Sequence, residues 1–384
     1  MKLLLVVGNA RDTFIYNYVI WLKKTINVSV DVFEVYESNN EHYDLNNYNE
    51  VATARGIQLP LPKGKGILDA LGRGDCLNKF LSKRRYDIIH VHWVTAPVVL
   101  QHNIKKHCKS FVLTFWGGEF NKQSVLGSTW LYRALLNRLS RQVDCIIGLP
   151  SEQEKILGML PNFSGIYKYA SLGSAPLECL YELMESESKS ESKLKLGIPI
   201  DRTTVLIGYS GKSIHQHIPI IEAFKQRKQY AGTLHLLAPM TRGANKEYAD
   251  CVRQCLEESG FTYSMIVDQY LSDEDIARLR NATDITLQLS EWDAFSRSVI
   301  ECLCARSVLI YGQWLNYNDH MRASNFQGIE VSSIKEGVET VFDVADNINS
   351  YQIITSTNSH NGKRRFIWSE CIKEWEGAYK ELLK

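Results

Sequence analysis

Short apolar segments alternate with amphipathic segments along the whole chain of 384 residues, and this alternation limits the possible folds most strongly. In the first half, the apolar segments are residues 3–7, 28–35, 86–91, 110–115 and 143–148. Strands separated by helical stretches are typical of parallel βαβ units, because parallel neighbours need a long crossover that is usually a helix. The pattern therefore predicts a doubly wound α/β domain whose strands are buried on both faces.

A second alternation of the same kind occupies the C-terminal half. Its apolar segments are residues 205–208, 233–237, 263–267, 284–289, 308–311 and 328–331. Between the halves, residues 184–195 read MESESKSESKLK, a polar stretch without an apolar period that predicts a linker or a solvated helix. We expect two Rossmann-like domains, at residues 1–180 and 201–360, joined by residues 181–200, with the ligand in a cleft between them.

The overall composition excludes several classes of protein. The formal net charge is +1, so no global field attracts the chain to nucleic acid or to a membrane, and any such contact depends on a local patch. The close pairs among the nine cysteines lack partner Cys or His residues at zinc-finger spacing, which favours reduced thiols over a metal or disulfide scaffold. The N-terminal apolar run is too short for a signal peptide, and no run of about 18 apolar residues occurs, so we expect a cytoplasmic protein.

The strongest candidate for a binding site is the segment that follows the apolar run 284–289. It reads QLSEWDAFSRSVIECL and leads into a helix that starts near Ser298. Ligands of open α/β sheets bind beyond the carboxyl ends of strands, and a helix N-terminus at that place offers free N–H groups to a phosphate. We expect the amides of this turn, with Arg297 and the hydroxyls of Ser296 and Ser298, to hold a diphosphate.

Two carboxylates of the same segment extend this hypothesis. Glu301, one helical turn further on, can accept both hydroxyls of a ribose, and Asp293 on the preceding loop can hold hydroxyls of a transferred sugar. The alternative is a surface helix that Asp293 and Ser296 merely cap.

Two further cations follow strands of the second half. The segment IGYSGKSIHQH places Lys212 after a glycine turn, without the spacing of a Walker A motif, and APMTRGANKEY places Arg242 after the next strand. A single cation on such a loop is more often simply solvated. Together with Arg297, however, these side chains would lie on three loops at one edge of the sheet, as a diphosphate requires. His215 and His217 would not share a helical face, so they do not predict a metal pair.

The strand ends of the first half carry a different set of candidates. Gly8 follows the first strand, as the glycine turn of a substrate loop would. The run HVHWV places His90 and His92 on one face of a strand end. Each could be a ligand or an acid–base group, and the position suits at least equally well a buried histidine whose ring nitrogens are hydrogen-bonded within the protein. TFWGGEF places Glu119 two glycines beyond a strand end, where a carboxylate can act as a general base or serve only as a cap or salt-bridge partner.

One segment of the first half bears on membrane contact. Residues 129–141, TWLYRALLNRLSR, have an apolar face and an arginine-rich face. With Lys105, Lys106 and Lys109 they could form a basic patch that touches anionic lipid of the inner membrane, and an ordinary packed helix with solvated arginines is the alternative.

Taken together, these segments resemble the GT-B glycosyltransferases, especially the large, family 4-like retaining group of bacterial lipopolysaccharide and mannosyl transferases. The stretch from Asp293 to Glu301 is similar to the E-x7-E element of that group, with Asp293 in place of the first glutamate. The segments at 268–290, 220–224 and 86–93 also match. GYSGKSIHQH and PMTRGANKEY are similar to the fucosamine transferases of enterobacterial common antigen, an inverting GT-B family.

The resemblance implies the GT-B fold, with two facing Rossmann-like domains, the acceptor in the first and the nucleotide sugar in the second. Residues 368–383 carry apolar side chains at helical spacing, and the resemblance implies that this segment, which we assign to residues 361–384, is a C-terminal helix that crosses back to the first domain. It also implies that Glu301 binds the ribose, that Lys212 stands in for the phosphate-binding cation, and that the backbone near Tyr270 meets the nucleobase. Many retaining members carry a histidine where this chain has Trp116, and Glu119 lies three residues further on.

These inferences lead to one functional prediction and two alternatives. We predict a metal-independent glycosyltransferase that moves a sugar from a nucleoside diphosphate sugar to a lipid-linked or polysaccharide acceptor in O-antigen, capsule or lipopolysaccharide biosynthesis. Glu119 is the candidate base and His92 the second candidate. We expect no metal and no dinucleotide cofactor, because no D-x-D element or G-x-G-x-x-G motif follows a strand where it would be needed. We expect no nucleic acid partner, because the net charge is close to zero. The alternatives are a GT-B-shaped sugar-nucleotide epimerase and a non-catalytic two-domain sugar-binding protein.

Overall fold

A computed structural model describes residues 1–36, 45–54, 66–116, 129–148 and 152–384 of the chain. Contacts divide the chain into two compact units, which we call the first and the second unit. The first unit contains Met1–Gly173 and Trp368–Lys384, and the second contains Ser174–Ile367.

The first unit is built on a parallel sheet of seven strands in the order β3-β2-β1-β4-β5-β6-β7. The strands are β1 (Lys2–Val7), β2 (Ser29–Glu34), β3 (Glu50–Thr53), β4 (Tyr86–His92), β5 (Cys108–Thr114), β6 (Cys145–Gly148) and β7 (Ile166–Tyr169). The helices between them are α1 (Thr13–Thr25), α2 (Ile67–Ser82), α3 (Ala96–Val99), α4 (Thr129–Ser140) and α5 (Gln153–Met159). Leu4 and Val6 of β1 pack into the apolar core on one face of the sheet, and Leu3 and Leu5 pack into the core on the other. Strand β1 is therefore buried on both faces, as the sequence predicted for the central strands.

The sequence did not predict the two edge strands, β3 and β7. Both are short and partly exposed: β3 reads EVAT, and the Ile166 and Tyr169 side chains of β7 are 41% and 51% exposed. An edge strand has a partner on one side only and need not be apolar, so its sequence carries a weak signal.

The second unit contains a parallel sheet of six strands in the order β10-β9-β8-β11-β12-β13. The strands are β8 (Thr203–Ile207), β9 (Leu234–Met240), β10 (Thr262–Val267), β11 (Ile285–Gln288), β12 (Val308–Gly312) and β13 (Ile329–Val331). The helices are α6 (Ala175–Ser186), α7 (Lys189–Lys195), α8 (His217–Lys225), α9 (Lys246–Ser259), α10 (Asp273–Asn281), α11 (Arg297–Cys304), α12 (Asn318–Ser324), α13 (Ile334–Asp346) and α14 (Gln352–Phe366). Every apolar segment that the sequence placed in this half forms a strand.

The polar stretch 184–195, predicted as a linker or a solvated helix, is largely helical, and residues 181–200 pack within the second unit. Ser188 begins α7 with a reciprocal capping box to Glu191. The Lys193 ammonium lies 2.5 Å from an Asp284 carboxylate oxygen, and Glu187 accepts hydrogen bonds from Ser192 and Lys195. These ionic partners, which composition alone does not show, hold the segment in the second unit. The boundary between the units lies at residues 173 and 174, whereas the sequence predicted it at 180.

The C-terminal helix α15 (Trp368–Leu382) packs on the first unit, as the resemblance implied. The Trp375 indole N–H donates to the Ser171 carbonyl over 2.8 Å, and the Ser110 hydroxyl donates to the Leu382 carbonyl over 2.9 Å. The helix begins at Trp368, where the apolar spacing predicted it. Residues 361–366, which the sequence assigned to the same C-terminal segment, instead complete α14, and the extended backbone of Ile367 separates the two helices.

Candidate functional site

The sheet of the second unit has its topological switch point between β8 and β11. The chain leaves these adjacent strands toward opposite edges of the sheet, and such a point opens a crevice at the carboxyl ends of the strands. Every site residue that the sequence predicted in this unit follows a strand on that side of the sheet. Lys212 follows β8, Arg242 follows β9, Tyr270 follows β10, Asp293 and Ser296 follow β11, and Arg297, Ser298 and Glu301 lie in α11.

The loops that carry Lys212 and Arg242 touch each other. The Gly211 amide donates to the Arg242 carbonyl over 2.8 Å. The stem of Lys212 lies over Gly243, where an added Cβ would come within 3.2 Å of the Lys212 Cγ atom, and Gly243 itself has a φ of +68°. Both cationic side chains are exposed. The structure therefore brings these two predicted phosphate ligands to one place on the sheet edge.

The Asp293 carboxylate joins three loops of the second unit. It accepts hydrogen bonds from the hydroxyl of Tyr209, after β8, and from the hydroxyl of Tyr317, after β12. The backbone N–H of Ser296 donates to the same carboxylate over 2.9 Å. Burial, together with the neighbouring carboxylate, raises the pKa of both tyrosines far above the usual value, so both stay protonated and act as donors. Asp293 itself is half-buried.

A chain of hydrogen bonds leads from His215 to this carboxylate. The two ring nitrogens of His215 lie 2.7 Å from the Ser290 hydroxyl and 2.8 Å from the Ser210 hydroxyl. The Ser290 hydroxyl donates to the Gln288 side-chain oxygen, and the Gln288 amide nitrogen donates to the Tyr317 hydroxyl, each over 3.2 Å. Burial lowers the pKa of His215 to about 4, so the ring is neutral at pH 7. Because Ser290 donates to Gln288, His215 must donate from Nδ1 to Ser290 and accept from Ser210 at Nε2.

Glu301 is buried, although the sequence predicted it as a ribose ligand. The side chain accepts a hydrogen bond of 2.6 Å from the Ser174 hydroxyl, and its other oxygen lies 3.2 Å from the Arg280 Nε atom. Glu301 and Arg280 are 5% and 6% exposed, and the buried Arg280 Nη1 atom has no hydrogen-bond partner among the described residues. Each carboxylate oxygen retains a second lone pair, so a role at the ribose stays a prediction.

The turn into α11 is shaped by Phe295, which has a φ of +57°. A bulky residue in this left-handed region is strained, and the Phe295 ring packs against Tyr317 and His320 at centroid distances of 4.9 Å and 5.3 Å. Arg297 places its guanidinium carbon 5.2 Å from the centre of the Phe366 ring. The predicted contact of Arg297 with a diphosphate stays a prediction, as do those of Ser296, Ser298 and Tyr270.

The corresponding strand ends of the first unit are aromatic. Gly8 follows β1, and an added Cβ at this position would lie 3.7 Å from the Trp93 ring. Trp93, with a φ of +72°, stacks on Trp116 at a centroid distance of 5.6 Å and an interplanar angle of 14°. These residues surround the switch point between β1 and β4. Glu119, the predicted base, lies outside the described residues.

The two histidines of β4 are buried and neutral. His90 bonds to the Tyr379 hydroxyl over 2.5 Å and to the Thr114 hydroxyl over 2.8 Å, and Tyr379 in turn bonds to the Tyr18 hydroxyl. Both ring nitrogens of His92 are buried without a hydrogen-bond partner among the described residues, and burial lowers the pKa of His92 to about 3. A base with so low a pKa accepts a proton weakly at neutral pH, and the predicted catalytic role of His92 stays a prediction.

Sequence reasoning missed three residues of the second unit: Tyr209, Tyr317 and Arg280. Tyr209 lies two residues beyond the end of β8, a position that would have marked it as a candidate, whereas Tyr317 lies five residues beyond β12, after a short 3-10 helix. Arg280 lies inside a helix, and no sequence signal shows that it pairs with Glu301. The His217 ring packs against the turn at Gly208, which has a φ of +66°. Its Nε2 atom lies 2.7 Å from the position that a Cβ on Gly208 would take, so the ring needs a glycine there.

Comparisons with known proteins agree with the predicted family and fold. Residues 2–149 match a family model described as "Glycosyl transferase 4-like". The whole chain is similar to sucrose-phosphate synthase from Thermosynechococcus elongatus, with a TM-score of 0.73, 12% identity and coverage of 100% of this chain and 99% of that one. Anabaena HepE in complex with UDP gives a TM-score of 0.66 at 14% identity, with coverage of 99% and 100%. WaaG, a glycosyltransferase involved in lipopolysaccharide biosynthesis, gives 0.62 at 12% identity, with coverage of 100% and 99%.

The predicted GT-B fold is confirmed by the solved structures, and the resemblance to family 4-like glycosyltransferases is confirmed for residues 2–149. The similarity to fucosamine transferases stays a prediction. No curated protein matches the sequence. In the part of the chain that the structure describes, no helix has the length and apolar character needed to cross a bilayer. The same residues contain no group of three or more His, Cys, Asp or Glu side chains that could hold a metal ion.

Proposed function

We propose that this protein, which has the GT-B fold and a first unit that matches glycosyl transferase 4-like proteins, transfers a sugar from a nucleoside diphosphate sugar to a lipid-linked or polysaccharide acceptor. The observation that carries the proposal is the meeting of Lys212 and Arg242 beside the switch point of the second unit. Two exposed cations on touching loops suit a diphosphate, which carries its charge on adjacent groups.

The second unit is proposed to bind the nucleotide sugar. Lys212 and Arg242 would neutralise the diphosphate, the amides at the start of α11 would add hydrogen bonds, and Glu301 would accept from the ribose. Similarity to HepE, which was solved in complex with UDP, supports a nucleotide as the ligand. The backbone near Tyr270, which is 54% exposed, is proposed to meet the nucleobase.

The first unit is proposed to bind the acceptor. Trp93 and Trp116 form an aromatic surface beside Gly8, and flat aromatic faces suit the apolar faces of sugar rings. Glu119 is the proposed base that takes the proton from the acceptor hydroxyl as that oxygen attacks the anomeric carbon. If the reaction retains configuration, the departing diphosphate can take this proton instead, and Glu119 would only orient the acceptor.

The biological setting is proposed to be synthesis of lipopolysaccharide, O-antigen or capsule on the cytoplasmic face of the inner membrane. Similarity to WaaG supports this setting.

Helix α4 presents Trp130, 72% exposed, together with the exposed Arg133 and Arg138, a combination that suits contact with anionic lipid. Sedimentation with vesicles of phosphatidylglycerol and phosphatidylcholine tests the contact, and a triple change of these residues to Ser should abolish it. Unchanged binding by the triple variant would reject it.

The test of the proposed function is calorimetry with UDP, GDP and dTDP and with their sugars. We expect one nucleotide to bind, and we expect Lys212→Ala and Arg242→Ala each to weaken it about tenfold, because charge-assisted hydrogen bonds contribute roughly 1.5–3 kcal/mol. Lys246→Ala, on the following helix, is the matched surface control. Unchanged affinity in both loop variants would refute the assignment.

Product analysis separates transfer from the alternatives. A transferase releases nucleoside diphosphate only when an acceptor is present, whereas an epimerase converts the nucleotide sugar without one. A non-catalytic sugar-binding protein would bind free sugar and release nothing. We expect full activity in EDTA, since the proposed cations replace a metal at the diphosphate, and loss of activity that Mg²⁺ restores would contradict this expectation.

A further inference from the structure

The Asp293 carboxylate has a limited number of free positions for a ligand. A carboxylate offers about four lone-pair sites to donors. One oxygen accepts from the Tyr317 hydroxyl and from the Ser296 backbone N–H, and the other accepts from the Tyr209 hydroxyl. These three donors leave one acceptor position, on the oxygen that Tyr209 contacts.

The geometry points to a subsite in which Tyr209 and Tyr317 hold Asp293 so that it accepts from a single hydroxyl of the transferred sugar. We propose that these two tyrosines are positioning residues that determine which nucleotide sugar binds. With both hydroxyl bonds in place, the remaining lone pair has a fixed direction, and a sugar whose hydroxyl points elsewhere leaves that acceptor unpaired. Without them, the carboxylate would present several acceptor positions and would tolerate several hydroxyl configurations.

The tyrosines are themselves held in place, which makes a fixed direction possible. Tyr317 is 1% exposed, its ring packs 4.9 Å from that of Phe295, and its oxygen accepts from the Gln288 amide over 3.2 Å. With that acceptor role filled, the Tyr317 proton is directed at Asp293. The ring of Tyr209 packs 4.2 Å from that of His215, whose own bonds to Ser210 and Ser290 fix it.

The position of the carboxylate favours a ligand over a purely structural role. Three loops that follow three different strands converge on Asp293 at the switch point, where open α/β sheets bind ligands. Asp293 is half-buried and not sealed, and the neighbouring Trp292 is 70% exposed. A carboxylate that only tied loops together would gain from complete burial with all of its lone pairs paired.

This inference rests on the proposed function, and the experiment separates the two. Calorimetry measures the affinities of wild type, Tyr209→Phe and Tyr317→Phe for UDP and GDP, and for two pairs of sugars that differ at one hydroxyl. The pairs are UDP-glucose with UDP-galactose, and GDP-mannose with GDP-glucose. We expect wild type to prefer one member of a pair by at least about tenfold, and each variant to reduce this preference to below about threefold. Affinity for the free nucleotide should stay within about twofold.

Tyr181→Phe is the matched control. Its buried hydroxyl donates to the Ser359 carbonyl over 2.6 Å in the same unit, so the change removes a comparable hydrogen bond away from Asp293. Wild-type sugar preference is expected in this variant. Asp293→Asn, which keeps the shape of the side chain, provides a second route if a tyrosine variant unfolds, and it should lose the preference as well.

The outcomes are distinct. If no nucleotide binds wild type, the proposed function fails and this inference fails with it. If nucleotide binding depends on Lys212 and Arg242 but the tyrosine variants keep the wild-type preference, only the inference is overturned. A wild type without preference in either pair, or variants that lose affinity for free nucleotide as much as for nucleotide sugar, also overturns it.

Discussion

The two units wind their sheets around equivalent switch points, yet they place opposite kinds of side chain at the strand ends. In the first unit the strand ends carry stacked tryptophans and two buried, neutral histidines. In the second unit they carry exposed cations and a carboxylate held by two tyrosines. In both units the strands contribute apolar side chains to a buried core.

If the proposed function holds, the fold fixes where a ligand can bind and the loops decide which ligand it is. A diphosphate needs charge and amides, which the second unit supplies at its strand ends. A sugar acceptor can use aromatic faces, which the first unit supplies. Changes in the first unit should therefore affect turnover, and changes in the second should affect nucleotide affinity.

The largest effect that would separate the units is expected from Glu119→Gln. A positioned general base contributes typically about 10²–10⁴-fold, so turnover should fall by that factor while nucleotide affinity is unchanged. Steady-state kinetics with calorimetry checks both quantities, and His92→Asn is the parallel variant for the second candidate base. A loss of less than about tenfold in Glu119→Gln would reject the base role and favour His92 or a retaining, substrate-assisted reaction.

The next largest effect is expected on nucleotide affinity, when Glu301 of the second unit is replaced. If Glu301 holds the ribose, Glu301→Gln should weaken nucleotide binding by about 10–100-fold with turnover at saturating donor less affected. Glu301→Ala should in addition lower the free energy of unfolding by about 3–5 kcal/mol, because it leaves the buried Arg280 unpaired. Ser174→Ala, which removes a partner of Glu301 without removing charge, is the control. Wild-type nucleotide affinity in folded Glu301→Gln would show that the ion pair with Arg280 is only structural.

Much of the fold could be predicted from the sequence, because buried parallel strands are apolar along their whole length. All strands of the second unit and the five central strands of the first were found in this way. The edge strands β3 and β7 were not, since one exposed side removes the apolar signal. A helix at residues 189–195 was one of two alternatives that the sequence left open. Its packing within the second unit involves ion pairs such as Lys193 with Asp284, which lie 91 residues apart in the chain and could not be predicted.

The candidate site could be predicted only to the level of loops. Strand ends identified the segments that carry Lys212, Arg242 and Asp293, because position in a parallel sheet follows from the order of strands and helices. Which side chains bond within the site could not be predicted. The bond from Tyr317 to Asp293 spans 24 residues and the bond from Tyr209 spans 84, and such contacts follow from packing in three dimensions.

A smaller effect is expected from the buried hydroxyl chain of the first unit. Tyr379 links His90 to Tyr18, so Tyr379→Phe leaves two buried polar groups unpaired and should lower the free energy of unfolding by about 2–4 kcal/mol. Tyr18→Phe removes only the last hydroxyl of this row of hydrogen bonds and should lower the free energy of unfolding by about 1 kcal/mol. Urea denaturation measures both values, and nucleotide affinity should be unchanged because these three side chains lie outside the second unit. Equal losses from the two variants would contradict this order of bonds.

The smallest difference concerns how fast the free energy of unfolding decreases as the pH falls, which should be faster in the second unit. Burial lowers the pKa of His92 and His217 to about 3 and that of His215 and His235 to about 4, and it also lowers the pKa of His90. In the unfolded chain each would titrate near 6.5. As the pH falls below about 6.5, the unfolded state takes up protons that the folded state excludes, so stability is lost toward lower pH. Each such histidine contributes at most about 1.4 kcal/mol per pH unit.

Urea denaturation of the whole chain between pH 7 and pH 5 tests this prediction, because most carboxylates stay ionised in that window. Among the described residues, three of these histidines lie in the second unit and two in the first, so the transition of the second unit should shift more with pH. His235→Asn, which can keep hydrogen bonds to Thr262 and Ser264, should reduce the slope of the second unit by one histidine's share. His92→Phe should do the same in the first. A pH-independent free energy of unfolding across this window would mean that the histidines titrate in the folded protein as they do in the unfolded chain. The lowering of the pKa of His215 by burial would then be excluded.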